Sequence, residues 1–212
     1  MPASSDSAAV SSVLRWIPIR SLGARHRARV LAHLLALTPA DRYLRFGYCA
    51  TDAQVTRYVE RLDFEQDQLF GIFNRQLELV AMAHLAYLPQ GTGGARMAEF
   101  GVSVLGQARG GGLGSRLFDH AVLHARNRNI DTLIIHALTE NTAMLRIAHN
   151  AGARVLRQGP DAEALLQLPP YTVASQIEEL LEDRAAEVDY HFKRQVRRVD
   201  TLWGRVTGLR AD

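Results

Sequence analysis

The chain reads as an α/β (α+β) protein, with a mixed, mostly antiparallel sheet flanked by helices and one long helix at its C-terminal end. Three observations predict this. Two pairs of apolar runs, each joined by a polar turn, read as hairpins: Gln68–Phe73 with Glu78–Tyr87, and Ala153–Gln158 with Ala164–Leu168. Between the pairs come a strand, a glycine turn, an amphipathic helix and a second strand, the order of a parallel crossover. After Pro169-Pro170 there is no glycine or proline from Tyr171 to Trp203, and apolar residues recur near heptad spacing.

Taken in order, Arg15–Arg20 reads as a short strand, with Pro18 making it an edge. Ala24–Leu37 carries Val30, Leu31, Leu34 and Leu35 at helical spacing. Thr38-Pro39-Ala40-Asp41 stops that helix, and Tyr43–Phe46 reads as a short helical turn or loop. Thr51-Asp52 caps a second helix bearing Val55, Tyr58, Val59 and Leu62. Asn74-Arg75-Gln76 turns the first hairpin, and Pro89–Gly94 is a loop. Met97–Leu105 is a long strand that delivers the chain to the glycine turn, and Leu113–Asn127 is a helix. Asp131–Leu138 is apolar enough to predict a strand covered on both faces. Asn141–Asn150 is a helix closed by Gly152, and Gly159-Pro160-Asp161 turns the second hairpin. The helix from Tyr171 would be about 50 Å long at 1.5 Å per residue. It is acidic first (Glu178, Glu182, Glu187) and basic later (Lys193, Arg197, Arg198), which suits antiparallel pairing with a second copy as a homodimer.

These readings divide the chain into a loose tail (1–12), one globular domain (13–170) and a helical extension (171–212). A net charge of +3 argues against a whole-protein field for nucleic acid. The basic end of the last helix lacks the interleaved aromatics that nucleic-acid binding would add. No apolar run is long enough to predict a membrane span. Residues 1–12 lack the basic start and apolar run of a secretory signal. The single cysteine, Cys49, forms no internal disulfide and fits a reducing, cytoplasmic compartment.

The chemistry centres on Arg109-Gly110-Gly111-Gly112-Leu113-Gly114-Ser115. A helix N-terminus presents N–H groups without internal partners, and the helix dipole adds positive character. Glycines let a bulky diphosphate approach those groups. The nucleotide-kinase pattern needs Gly-Lys-Ser/Thr, but Gly114-Ser115-Arg116 has no lysine. The dinucleotide pattern needs a third glycine where Ser115 stands, and an acidic residue after the next strand, whereas Asp131 precedes it.

What remains, Arg-x-x-Gly-x-Gly over Arg109–Gly114, resembles the signature of the GNAT N-acetyltransferase superfamily. Asn141 after the next strand and Gly152 eleven residues later also match that family, and its strand order fits from Trp16 to Leu168. Ala98–Val104, Asn141–Ala148 and Arg42-Tyr43-Leu44-Arg45-Phe46 resemble GNAT domains of bacterial protein-lysine acetyltransferases. The resemblance implies a GNAT-like fold, acetyl-CoA as co-substrate and an amine acceptor, a protein lysine or a small molecule. It places the diphosphate on the N–H groups of Gly110, Gly111, Gly112, Leu113, Gly114 and Ser115, beside Arg109. The pantetheine arm would lie along Val102, Ser103 and Val104, with Asn141 near the cofactor.

Glu99, on the strand before the turn, has two readings. It is the general base that takes a proton from the attacking amine, or it is an exposed strand carboxylate. Asn141 is a helix cap, a cofactor contact, or both. Family members often carry a tyrosine acid seven residues after the asparagine; here Ala148 stands there, with His149 beside it. His120 and His124, four apart on a helix, lack a third metal ligand and read as surface histidines; no metal is expected. The leading reading is an acetyl-CoA-dependent N-acetyltransferase working by direct attack in a ternary complex. The alternative is a non-catalytic acetyl-CoA-binding domain with the last helix as a dimerisation or docking element.

Overall fold

In the computed structural model, which describes residues 17–89 and 95–169, the chain runs β1 (Arg20–Leu22), α1 (Arg27–Leu35), α2 (Pro39–Phe46), α3 (Asp52–Arg61), β2 (Gln68–Phe73), β3 (Leu79–Tyr87), β4 (Met97–Val104), α4 (Leu113–Asn127), β5 (Thr132–Leu138), α5 (Thr142–Asn150), β6 (Arg154–Gln158) and β7 (Asp161–Gln167). The strands form one sheet in the order β1-β2-β3-β4-β5-β7-β6. Only β4–β5 is parallel, joined by the α4 crossover; every other pair is antiparallel.

The sheet buries both faces. On one face Phe70, Phe100, Leu117, Phe118 and Leu133 form a core with α4 and α5. On the other, Val30, Leu34, Val55, Leu69 and Met82 form a second core with α1 and α3. This follows from the period-two alternation of strands meeting the apolar stripes of helices.

Several boundaries differ from the sequence expectation. The first strand is Arg20–Leu22 rather than Arg15–Arg20. It begins two residues after Pro18, once the chain can donate, and pairs Arg20–Leu22 with Gly71–Leu69. Arg15 and Trp16 lie outside the described residues. The first helix opens as a 3-10 turn at Ala24–His26 before the regular α1. Tyr43–Phe46 belongs to a full helix, α2. Thr38 caps it through the Asp41 N–H, Pro39 sits at its first position, and Gly47 ends it at φ +79°. The second hairpin is tighter than expected: β7 starts at Asp161, so Ala162 and Glu163 pair with Arg157 and Leu156. β5 is not covered on both faces, since His136 is exposed and Ile134 and Ala137 are half-buried. The tail 1–12, most of the Pro89–Gly94 loop, and the C-terminal helix with its homodimer role lie outside the described residues.

His120 and His124 are corrected from surface to core. His120 is 3% exposed and meets the Phe70 ring edge-on at 4.5 Å; His124 bonds the Tyr87 hydroxyl at 3.0 Å. Their helix turns this face onto the sheet, where the Phe70 ring packs edge-on against both imidazoles. Among the described residues no group of three metal-ligating side chains occurs, and no helix is long and apolar enough to cross a membrane.

His33 ties the second core to β4. Its Nδ1–H donates to Leu79 O at 2.8 Å, and its Nε2 accepts from Ser103 Oγ at 2.8 Å. Burial, with help from the Arg45 charge and against the Leu79 carbonyl, lowers its pKa to about 4. The unfolded chain therefore binds a proton between pH 6.5 and 4 that the folded chain refuses, and stability falls as pH falls through that window. At about 1.4 kcal/mol per unit, His33 alone accounts for roughly 3 kcal/mol. We expect the urea midpoint to drop between pH 7 and 4.5, and His33→Gln to flatten that drop; an equal slope in both proteins would contradict this role.

Candidate active site

The site begins where two strands part. β4 and β5 pair only at Met97↔Thr132, Ala98↔Leu133 and Glu99↔Ile134. Beyond Glu99 they diverge, with β4 continuing to Val104 and β5 to Leu138. The Leu105 N–H donates to Val80 O on β3. Alternation along β4 therefore aims the backbone of Val102 and Val104 the other way, into the gap left by β5. A sheet with an open internal edge can accept an extended ligand as a further strand.

The glycine turn closes one end of this gap. Gly110 and Gly112 have φ of +82° and +70°, a region that L residues rarely adopt. A Cβ on Gly110, Gly111 or Gly112 would meet nothing within 4 Å. The first backbone bond of α4 runs from Arg116 N–H to Gly112 O, and no side chain caps the helix. The N–H groups of Leu113, Gly114 and Ser115 thus lack intrahelical partners and are open to an anion.

A cleft of about 530 Å³ is lined by Val102, Ser103, Val104, Arg109, Gly110, Gly112, Leu113, Gly114, Ser115 and Asn141. The expected cofactor residues are thereby brought together, except Gly111, which does not line the cleft. Three of them have side chains engaged elsewhere. The Ser103 hydroxyl is held by His33. Arg109 forms an ion pair with Asp41, and its Nε donates to Val104 O at 3.2 Å. Burial pushes the Asp41 carboxyl up, but the Arg109 and Thr38 hydrogen bonds and the Arg109 charge outweigh it and hold the group below its ordinary value. Asn141 caps α5 by accepting the Met144 N–H at 3.1 Å, and its Nδ2 donates to Leu44 O at 3.4 Å, tying α5 to α2.

A second cavity of about 570 Å³ adjoins the first on the other side of Asn141. Glu99, exposed at the parting of the strands, lies in its wall with Asp161 and Glu163 from β7 and His136 from β5. His136 and Glu163 approach to 3.9 Å. Three carboxylates in one cavity favour a cationic visitor. Ala148 is fully buried and lines neither cavity, and His149 is exposed away from both.

Residues 31–153 match the family model described as Acetyltransferase (GNAT) family. The chain belongs to the GNAT acetyltransferase family. Solved GNAT structures share the fold at low identity. The GNAT domain of S. lividans PAT is 22% identical, with a TM-score of 0.58 over 71% of this chain and 89% of that one. The yncA acetyltransferase of Salmonella typhimurium, solved with its cofactor acetyl-CoA, is 16% identical, with a TM-score of 0.58 over 74% and 97%. A ribosomal-protein-alanine N-acetyltransferase from Brucella melitensis is 17% identical, with a TM-score of 0.54 over 71% and 99%. No curated relative matches the chain. Membership of this family supports the enzyme reading over a non-catalytic binding domain.

Four residues stand at or behind the two cavities that the sequence did not assign to a site, although Arg45 lies in the Arg42–Phe46 resemblance and Tyr58 on the second helix. Arg45 lines both cavities, and Tyr58, His84 and Asp67 stand in line behind it. The framing of α2 by Thr38, Pro39 and Gly47 was the available signal for Arg45. The other three meet only in the tertiary fold.

Proposed function

We propose that the protein transfers the acetyl group of acetyl-CoA to a primary amine, a protein lysine or a small molecule, by direct attack in a ternary complex. The observation that carries this is the position of Glu99. It is the last residue of β4 paired with β5, and it faces a carboxylate-rich cavity continuous with the glycine-turn cleft.

Acetyl-CoA supplies the activated acetyl group. The N–H groups of Gly110, Gly112, Leu113, Gly114 and Ser115 would hold its diphosphate, with Arg109 alongside. The backbone of Val102 and the N–H of Val104 would pair with the pantetheine arm, and these N–H groups would stabilise negative charge developing on the carbonyl oxygen. Asp161 and Glu163 attract the acceptor ammonium, and Glu99 takes its proton, directly or through a water, to free the nitrogen lone pair. An acceptor screen across proteins, polyamines, amino acids and aminoglycosides tests this reading. It is supported by acetyl transfer to at least one amine class, and contradicted by transfer to none while acetyl-CoA is bound.

We also propose that residues 171–212 pair two copies of the chain. Sedimentation should show a dimer for the full chain and a monomer after their removal. The same monomer in both would remove the dimer.

A further inference from the structure

The two cavities share five lining residues: Leu44, Arg45, Val102, Asn141 and Met144. A thioester reaching from the glycine-turn cleft to the acceptor cavity must pass this junction, and Arg45 is its one charged residue. The guanidinium lies against β4 where Gly101 leaves room: a Cβ there would stand 2.7 Å from the Arg45 Cζ and Nη2.

Arg45 is held from behind by a directional chain. Its Nη2 donates to Tyr58 Oη at 3.1 Å, and Tyr58 Oη lies 2.8 Å from His84 Nδ1. His84 Nε2 lies 2.8 Å from Asp67 Oδ2. A carboxylate only accepts, so the neutral imidazole donates from Nε2 and accepts at Nδ1 from the phenol. Burial lowers the pKa of His84, and Arg45 adds to that against the pull of Asp67 and Glu99, which keeps the ring neutral as the chain requires. The Arg45 guanidinium also stacks toward Phe46 and Tyr58, at 5.3 and 5.7 Å from their ring centroids. Among the described residues Tyr58 is its one hydrogen-bond partner, which leaves the other N–H groups for the junction.

We propose that Arg45 is a catalytic residue that stabilises the departing CoA thiolate, with Tyr58, His84 and Asp67 as positioning residues. The proposal rests on the acetyl-CoA reading above. In the step it serves, the amine lone pair forms the C–N bond to the thioester carbon. The C–S bond breaks, and its electron pair leaves on sulfur. One nitrogen proton passes to Glu99 before attack and a second to water afterwards. No side chain need protonate the sulfur if a fixed cation holds its charge, which accounts for an enzyme with alanine at position 148.

Other charges face the same junction. Glu99, Asp161 and Glu163 oppose a thiolate from the acceptor side, and His136 is paired toward Glu163. On the cofactor side Asp41 is neutralised by Arg109, and Arg146 lies at the cleft wall. Arg45 must outweigh the three carboxylates from closer range.

The test is the titration of the thiol of bound CoA, followed by thiolate absorbance in the ultraviolet, with affinity measured by calorimetry. A free thiol of this kind titrates near 8.5, and a cation within contact range lowers it by about 1–3 units. The wild-type complex should show that lowering. Arg45→Met should abolish most of it, and Arg45→Lys should retain it in part because the charge remains. Gly101→Ala should reduce it by shifting the guanidinium without removing it, and Tyr58→Phe should reduce it by loosening the same group. Should Arg45→Met fail to fold, Gly101→Ala and Arg45→Lys decide the matter. Equal thiol titration in wild type and Arg45→Met, or in wild type and both Arg45→Lys and Gly101→Ala should Arg45→Met not fold, with CoA bound, overturns the role of Arg45 and leaves the cofactor reading standing. Absence of CoA binding by the wild type overturns the cofactor reading and this proposal together.

Discussion

Glu99→Gln should lower the rate of acetyl transfer by roughly 10²- to 10⁴-fold at pH 7, the range that a positioned base contributes. Affinity for acetyl-CoA should be unchanged. Glutamine keeps the size of the side chain and its exposed place on β4, so stability should move by less than about 0.5 kcal/mol, as for surface substitutions. The expectation follows from geometry. The carboxylate stands where β4 and β5 part, inside the acidic cavity and next to the backbone gap at Val102. In the proposed reaction a substrate ammonium there would be held by Asp161 and Glu163 and would stay unreactive until a proton leaves. Steady-state kinetics with the best acceptor from the screen, paired with calorimetry, separates the two effects. A rate within threefold of wild type would mean that Glu99 is only an exposed strand carboxylate.

Gly112→Val should weaken acetyl-CoA binding by roughly 10- to 100-fold, or about 1.4 to 2.8 kcal/mol. Gly112 holds φ +70° as the N-cap of α4. A left-handed backbone costs an L residue about 1–2 kcal/mol, and a β-branched side chain more. The valine would relieve that strain by turning the N–H groups of Leu113, Gly114 and Ser115 away from their common focus. Its methyls would also enter the space a diphosphate needs. Gly111 provides the control, because it has no positive φ and does not line the cleft. Gly111→Ala should change affinity by less than threefold. Equal losses in both variants would indicate that the turn acts only through general flexibility.

The parts of the fold written in local pattern were legible in the sequence. The first hairpin, the β4–α4–β5 crossover and the Asn141 cap of α5 each rest on residues close together in the chain, and each stands within a residue or two of its expected place. The glycine turn was legible for the same reason. Helix α2 was not, because its apolar residues are few and none of them is buried. Its evidence was the frame of Thr38, Pro39 and Gly47 rather than periodicity. The burial of His120 and His124 was illegible because Phe70, their partner, is 50 and 54 residues away and recognisable only once β2 lies beneath α4. The side-chain line behind the two cavities was the least legible. Arg45, Tyr58, His84 and Asp67 come from α2, α3, β3 and the loop before β2, and no spacing rule links them. Arg42, three residues from Arg45, is by contrast structural, bonded to Leu35 O, Ala50 O and Asp52. Two arginines in one short motif therefore divide between holding the fold and lining the two cavities.

In the proposed function the open edge of β4 and the glycine turn together bind acetyl-CoA. Amide hydrogen exchange across residues 101–116, with and without acetyl-CoA, tests it most directly. Exchange should slow at Val102, Val104 and Leu113–Ser115, and the melting temperature should rise with ligand concentration. Unchanged exchange over that stretch, with no thermal shift at millimolar acetyl-CoA, would contradict it.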